Sequence, residues 1–149
     1  MNIIVREMRP EDVPAVYAMG IREEGFRAPG SEEKLCFWPQ QTLERWTVDP
    51  GDDVLLVAEV DGEVAGFVIA TFHRITGKAE WENECVSPEF RGRGVAKALY
   101  AEMERRFVEK GATFISFIVK GDNDSLGAYK KRFGPSAGVQ WFVKPLGGE

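Results

Sequence analysis

The chain has 149 residues, 44% of them hydrophobic and 29% charged, and a net charge of −5. That length suits a single domain over residues 1–149, able to bury roughly 70% of its extended surface. The composition excludes a disordered, collagen-like or disulfide-framework protein. Residues 2–8 read as a short strand. Pro10 opens a helix at the position where its missing N–H costs least, and Val13, Val16, Tyr17, Met19 and Ile21 give that helix its apolar side. Gly, Pro and Ser break the stretch 25–39 into loop or short turns. A second helix is expected at 40–48, stopped by Asp49-Pro50-Gly51. Strands follow at 54–60 and 64–72, joined by Asp61-Gly62, a strong hairpin signal.

A third long strand is expected at 78–86, after Thr76-Gly77. Pro88, Gly92 and Gly94 then interrupt the chain before a long helix. In it Val95, Leu99, Met103 and Phe107 recur every fourth residue, and Lys110-Gly111 ends it. The run 112–119 is nearly all apolar, as expected of a central strand covered on both faces. It is far short of the ~20 apolar residues of a membrane span. A helix at 125–132 and a last strand at 139–143 complete an order that predicts one α/β domain around a mixed sheet.

The charge is divided unevenly. Residues 1–90 carry 8 basic and 18 acidic side chains, and residues 91–149 carry 11 and 6. The acidic part argues against a nucleic-acid partner, and the basic part suits a compact anion. The opening MNIIVREMRPED lacks a basic-then-apolar leader pattern. Cys36 and Cys85 form no CxxC pair, so a cytoplasmic location without membrane association is expected. With His73 as the single histidine, neither a metal site nor a histidine triad is expected.

The run RGRGVA at 91–96 joins a strand to an amphipathic helix. The first N–H groups of a helix lack internal acceptors, and the helix dipole favours an anion there. Gly92 and Gly94 remove side chains that would keep a phosphate away, and Arg91 and Arg93 add charge. No GxxxxGK loop is present, and the run fails the GxGxxG pattern at Lys97.

This run resembles the Gln/Arg-x-x-Gly-x-Gly/Ala signature of the GNAT acetyltransferase superfamily. VSPEFR at 86–91, IVR at 4–6 before PED at 10–12, and Asn123 followed by Tyr129 resemble further features of that family. The resemblance implies an α+β fold: a mixed, mostly antiparallel sheet splayed between strands 4 and 5, with about four helices. It implies acetyl-coenzyme A as co-substrate and an N-acetyltransferase acting by direct transfer. Backbone N–H groups of Arg91, Gly92, Arg93, Gly94, Val95 and Ala96 would hold the pyrophosphate. Cys85 and Val86 would pair with the pantetheine arm, Asn123 would bind it, and the Val86 N–H would be the oxyanion donor. Lys97, Lys130 and Lys131 reach toward the nucleotide or merely solvate the surface. A non-catalytic acyl-coenzyme A sensor on the same fold is the alternative. Homodimers are common among relatives, with the exposed last strand as an edge.

Such chemistry needs a base for the amine and an acid for the departing thiolate. Strict alternation along 78–86 puts Glu80, Glu82 and Glu84 on one face. Glu82 and Glu84 are the candidate bases, a β-bulge being able to exchange which points inward. Tyr129 is the candidate acid. Phe26, Phe37 and Trp38 either wall an acceptor pocket or fill the core. The acidic first part favours a cationic acceptor, a small molecule or a peptide amine. Cys85 reads as a buried small residue and His73 as a surface one.

Overall fold

The computed structural model describes residues 2–23, 26, 38–119, 125–135, 138, 140–144 and 146. The elements are β1 (Ile3–Glu7), α1 (Val13–Gly20), α2 (Gln40–Val48), β2 (Val54–Val60), β3 (Glu63–His73), β4 (Lys78–Val86), α3 (Val95–Lys110), β5 (Phe114–Phe117) and α4 (Leu126–Phe133). The strands form one sheet in the order β1-β2-β3-β4-β5. The first four are antiparallel neighbours, and β5 runs parallel to β4.

Local chemistry sets these boundaries. Asp61 and Gly62 both adopt positive φ, 52° and 85°, and Val60 pairs with Glu63 across them. This is the two-residue turn whose twist matches its strands. β2 is an almost unbroken apolar run because both of its faces are covered. On one face Leu56, Ala58, Val68, Ala70 and Trp81 pack against Val95, Leu99, Met103 and Phe107 of α3. On the other, Leu55, Val57, Phe67 and Ile69 meet Val13 and Val16 of α1 and Leu43 of α2. Two apolar layers thus fix β4 in the sheet, each buried Leu or Phe contributing about 1.5–3 kcal/mol.

Two expectations are corrected. β5 is not a central strand. Among the described residues it lies at the sheet edge, and Phe114 is 52% exposed. An apolar run reports composition and not how many neighbours a strand has. The last strand is not formed either: residues 140–144 carry no regular structure, and Phe142 is 88% exposed. Val139 lies outside the described residues.

Near the start of the chain, Arg6 grips Asp12 through two hydrogen bonds of 2.7 and 2.9 Å and also reaches Glu59 at 2.9 Å. The Arg9 N–H donates to the Asp12 carboxylate at 2.7 Å, tying the 3-10 turn Pro10–Asp12 to β1. Burial alone would raise the Asp12 pKa, but Arg6 and the Arg9 N–H outweigh it and leave it lowered. Asp12→Ala is therefore expected to cost about 2–3 kcal/mol of stability at neutral pH. A depressed carboxylate stabilises above its unfolded value and loses that contribution as pH falls through the folded one. Denaturant melts at pH 7 should separate the two proteins, and melts in strong acid should bring them together.

Candidate active site

β4 and β5 pair only from Lys78 opposite Phe114 to Trp81 opposite Phe117. Beyond that point β4 continues to Val86 paired with β3 alone among the described residues, and the sheet opens. Between β3 and β4 the register slips: Ile69 faces Asn83 and Ala70 faces Trp81, so Glu82 is the extra residue of a β-bulge. The bulge changes which face each side chain serves, because residues directly opposite share a face. Glu80 lies opposite Thr71 on the α1–α2 side, and Glu82 turns the same way, accepting a hydrogen bond from the Thr71 hydroxyl at 3.1 Å. Glu84 lies opposite Val68, on the α3 side. The expectation that all three carboxylates share one face is thus corrected: the extra residue breaks the alternation.

A cavity of about 360 Å³ straddles this opening and brings the divided side chains together. Glu23, Phe26, Trp38, Glu80, Glu82, Glu84 and Tyr129 all line it, with Trp141 at its rim of described C-terminal residues. Phe26 and Trp38 therefore do both things considered for them, since they also pack against the α1–α2 core. Phe37 lies outside the described residues.

The carboxylates differ in their surroundings. Glu80 accepts a hydrogen bond from the Ser116 hydroxyl and pairs with Lys78 at 3.4 Å. Burial, offset by the Thr71 hydrogen bond but reinforced by Glu80, raises the Glu82 pKa. In Glu84, Oε1 is sealed from solvent and has no hydrogen-bond partner among the described residues. Burial pushes this carboxyl up to about 8, against the opposing pull of Arg132. Tyr129 of α4 packs its ring against Trp81 and Phe117 at 6.0 and 5.7 Å between centroids. Burial, and then the charge of Glu84, raises its pKa, so the phenol keeps its proton at neutral pH.

The backbone of β4 is equally arranged. The Ser87 N–H donates to the Ala65 carbonyl at 2.8 Å. Antiparallel alternation then turns Cys85 toward β3 and leaves the N–H groups of Glu84 and Val86 facing the open side. Of the expected pair, only Val86 presents its edge there. Gly66 makes this close packing possible, because a Cβ on it would meet the Cys85 carbonyl at 2.8 Å.

At the start of α3, Gly92 and Gly94 have φ of 75° and 87°, with no atom of the described residues within 4 Å of where a Cβ would stand. Among the described residues no side chain caps the helix, and its first internal bond is from the Ala98 N–H to the Gly94 carbonyl. The N–H groups of Val95, Ala96 and Lys97 therefore lack helical acceptors. This exposed, uncapped donor set fits a pyrophosphate. Arg91 has a different place: its N–H donates to the Pro88 carbonyl at 3.3 Å, and its Nε donates to the Val86 carbonyl at 2.9 Å. It also reaches Glu23 at 3.8 Å. Arg93 lies over the Phe90 ring.

Cys85 is buried, and burial pushes its thiol up to about 12. His73 is exposed, as expected. Lys97, Lys130 and Lys131 are exposed as well. Asn123 lies outside the described residues. Glu23 and Trp141 are among the lining residues that escaped the sequence reading. Each is far along the chain from the motif, and only the fold brings them in. No helix among the described residues is long and apolar enough to cross a membrane.

Comparison with known proteins agrees with this geometry. Residues 18–134 match the Acetyltransferase (GNAT) family. The chain is 34% identical over 128 residues to an acetyltransferase of Pectobacterium atrosepticum, across 85% of this chain and 84% of that one. Its fold is similar to that of the PaiA N-acetyltransferase of Thermoplasma acidophilum in complex with coenzyme A. That structure has a TM-score of 0.74 and 21% identity over 89% of this chain and 88% of the other. An aminoglycoside acetyltransferase from an uncultured soil metagenomic sample, in complex with sisomicin, has a TM-score of 0.71 and 15% identity over 97% and 96% of the two chains. The family match spans most of the sequence and carries with it the splayed sheet built above: this protein belongs to the GNAT family and is an acetyl-coenzyme A-dependent acetyltransferase.

Proposed function

We propose that the enzyme acetylates a cationic primary amine by direct transfer, with Glu84 as base and Tyr129 as acid. The observation that carries this reading is the buried Glu84 carboxyl, with one oxygen lacking a partner among the described residues, in a cavity that Tyr129 also lines. An ammonium entering that cavity meets the carboxyl that lines it. Once neutral, Glu84 and the bound amine share one proton, and a carboxylate with a pKa near 8 is matched to receive it. Tyr129 keeps a proton available for the leaving sulfur. Acetyl-coenzyme A, when bound, supplies the activated acetyl thioester.

The remaining roles belong to the backbone. N–H groups between Gly92 and Ala96 hold the pyrophosphate, and the open edge at Val86 receives the pantetheine arm. The Val86 N–H faces the opening as the donor for negative charge on the thioester oxygen. Arg91 acts through Val86, holding its carbonyl. A covalent route through Cys85 is disfavoured by its burial and protonated thiol. Acidic lining supports a cationic acceptor, whether a small molecule or the end of a peptide.

The test is thiol release from acetyl-coenzyme A with a panel of primary amines, beside calorimetric titration of the cofactor. Tyr129→Phe is expected to lower kcat by about 10²-fold while leaving cofactor affinity within about twofold. Wild-type turnover in that variant would remove Tyr129 from the role.

A further inference from the structure

Among the described residues two polar side chains are buried, Asp12 and Asn83, at 7% and 6% exposure. Asp12 is held by Arg6 and by the Arg9 N–H. The Asn83 carboxamide makes no hydrogen bond among the described residues. A buried amide in that state is costly, and it calls for a partner from outside the chain.

The fold shows where that partner enters. Asn83 is the first paired residue of β4 beyond the bulge and stands opposite Ile69. It therefore faces the α1–α2 side, next to the apolar layer of Ile69, Phe67 and Leu55. An aliphatic residue there would simply extend that layer. The carboxamide instead lines the cavity, and none of its atoms is sealed in the way that Glu84 Oε1 is. The lining selects what it can bind. Glu23, Glu80 and Glu82 share the cavity, and ionised carboxylates accept hydrogen bonds but donate none. They suit the nitrogen of an acceptor and repel any oxygen that it carries. The amide of Asn83 has two N–H donors and brings no charge.

We propose that Asn83 is a specificity residue whose amide donates a hydrogen bond to a neutral oxygen, carbonyl or hydroxyl, that the acceptor carries close to its amine. This rests on the reading of the cavity as the acceptor site. No bond changes at Asn83. It holds the body of the acceptor while the amine is presented to Glu84, the next residue along β4 and on its other face. It thereby favours amines that carry such an oxygen over plain alkylamines.

The experiment measures kcat/KM by thiol release for pairs of matched shape: glycinamide against isobutylamine, β-alaninamide against isopentylamine, and ethanolamine against propylamine. Wild type and Asn83→Leu are compared. Differences in amine basicity within a pair are common to both enzymes and cancel when their ratios are compared. Asn83→Leu is expected to lower the ratio for at least one pair by about 10-fold or more, mostly through the KM of the oxygen-bearing member. Asn83→Asp, which exchanges the donor for a charged acceptor, is expected to lower it at least as far. Asn83→Leu should melt no lower than the wild type, because no hydrogen bond within the protein is lost. Ratios within about twofold of the wild type in every pair, with Tyr129→Phe still lowering kcat, overturn the role of Asn83 and leave the proposed function standing. A variant that melts lower and slows both members of each pair alike makes Asn83 structural and overturns the role as well. Cofactor binding without turnover of any amine overturns the reading of the cavity, and this inference with it.

Discussion

Glu84→Gln is expected to lower kcat/KM by about 10²–10⁴-fold for every amine while making the folded protein more stable in alkali. Both effects follow from one buried carboxyl. In the folded chain its pKa is pushed up to about 8 by burial. The folded state therefore holds a proton that the unfolded chain releases at lower pH. By linkage, the folded wild type loses stability as pH rises from the ordinary carboxylate range to about 8. Glutamine has no proton to lose. The two proteins should melt close together at about pH 4, and the variant should melt about 3–6 °C higher at pH 9. Wild-type activity should rise with pH and level off above about 8, since only the ionised form accepts a proton. A variant that keeps the wild-type rate and rising limb would show that another group takes the amine's proton.

Gly94→Val should weaken acetyl-coenzyme A binding by about 10–100-fold and cost about 1–3 kcal/mol of stability. Gly94 holds φ at 87° immediately before α3, a conformation a β-branched residue strongly resists. Relief of that strain would turn the first N–H groups of the helix, and the added side chain would cover them. Calorimetric titration gives the affinity and thermal melts the stability. Unchanged affinity in a destabilised variant would place the pyrophosphate elsewhere. Lys97→Ala provides the contrast, since loss of one exposed charge should shift affinity only with ionic strength.

Much of this molecule is written locally. The bounds of α2, β2 and β4 coincide with the sequence reading because turn residues or a hairpin dipeptide mark their ends. The fourfold spacing of Val95, Leu99, Met103 and Phe107 named the buried side of α3. The run at 91–96 was informative because glycines and an uncapped helix start are themselves local features. What failed was non-local. Whether 112–119 has one neighbour or two depends on a strand elsewhere in the chain. Glu23 and Trp141 enter the cavity through tertiary folding alone. Arg91 was read as a charge for an anion, yet its guanidinium turns back onto Val86. Side-chain direction depends on which carbonyl is within reach. The three glutamates were placed by strict alternation, which holds only while the two strands count residues alike.

The bulge at Glu82 behaves as a frameshift in the sheet. One residue beyond strict pairing puts every later side chain of β4 on the face opposite to the one that strict alternation would give, while the pairs on either side of it stay in register. Deleting Glu82 would make the pairing continuous and leave Glu84 opposite Val68, where it stands now. What fixes the roles is thus the register across the two strands and not the count of residues along one of them. The spacing of glutamates along this strand is, for that reason, a poor guide to their roles in a relative with a different count.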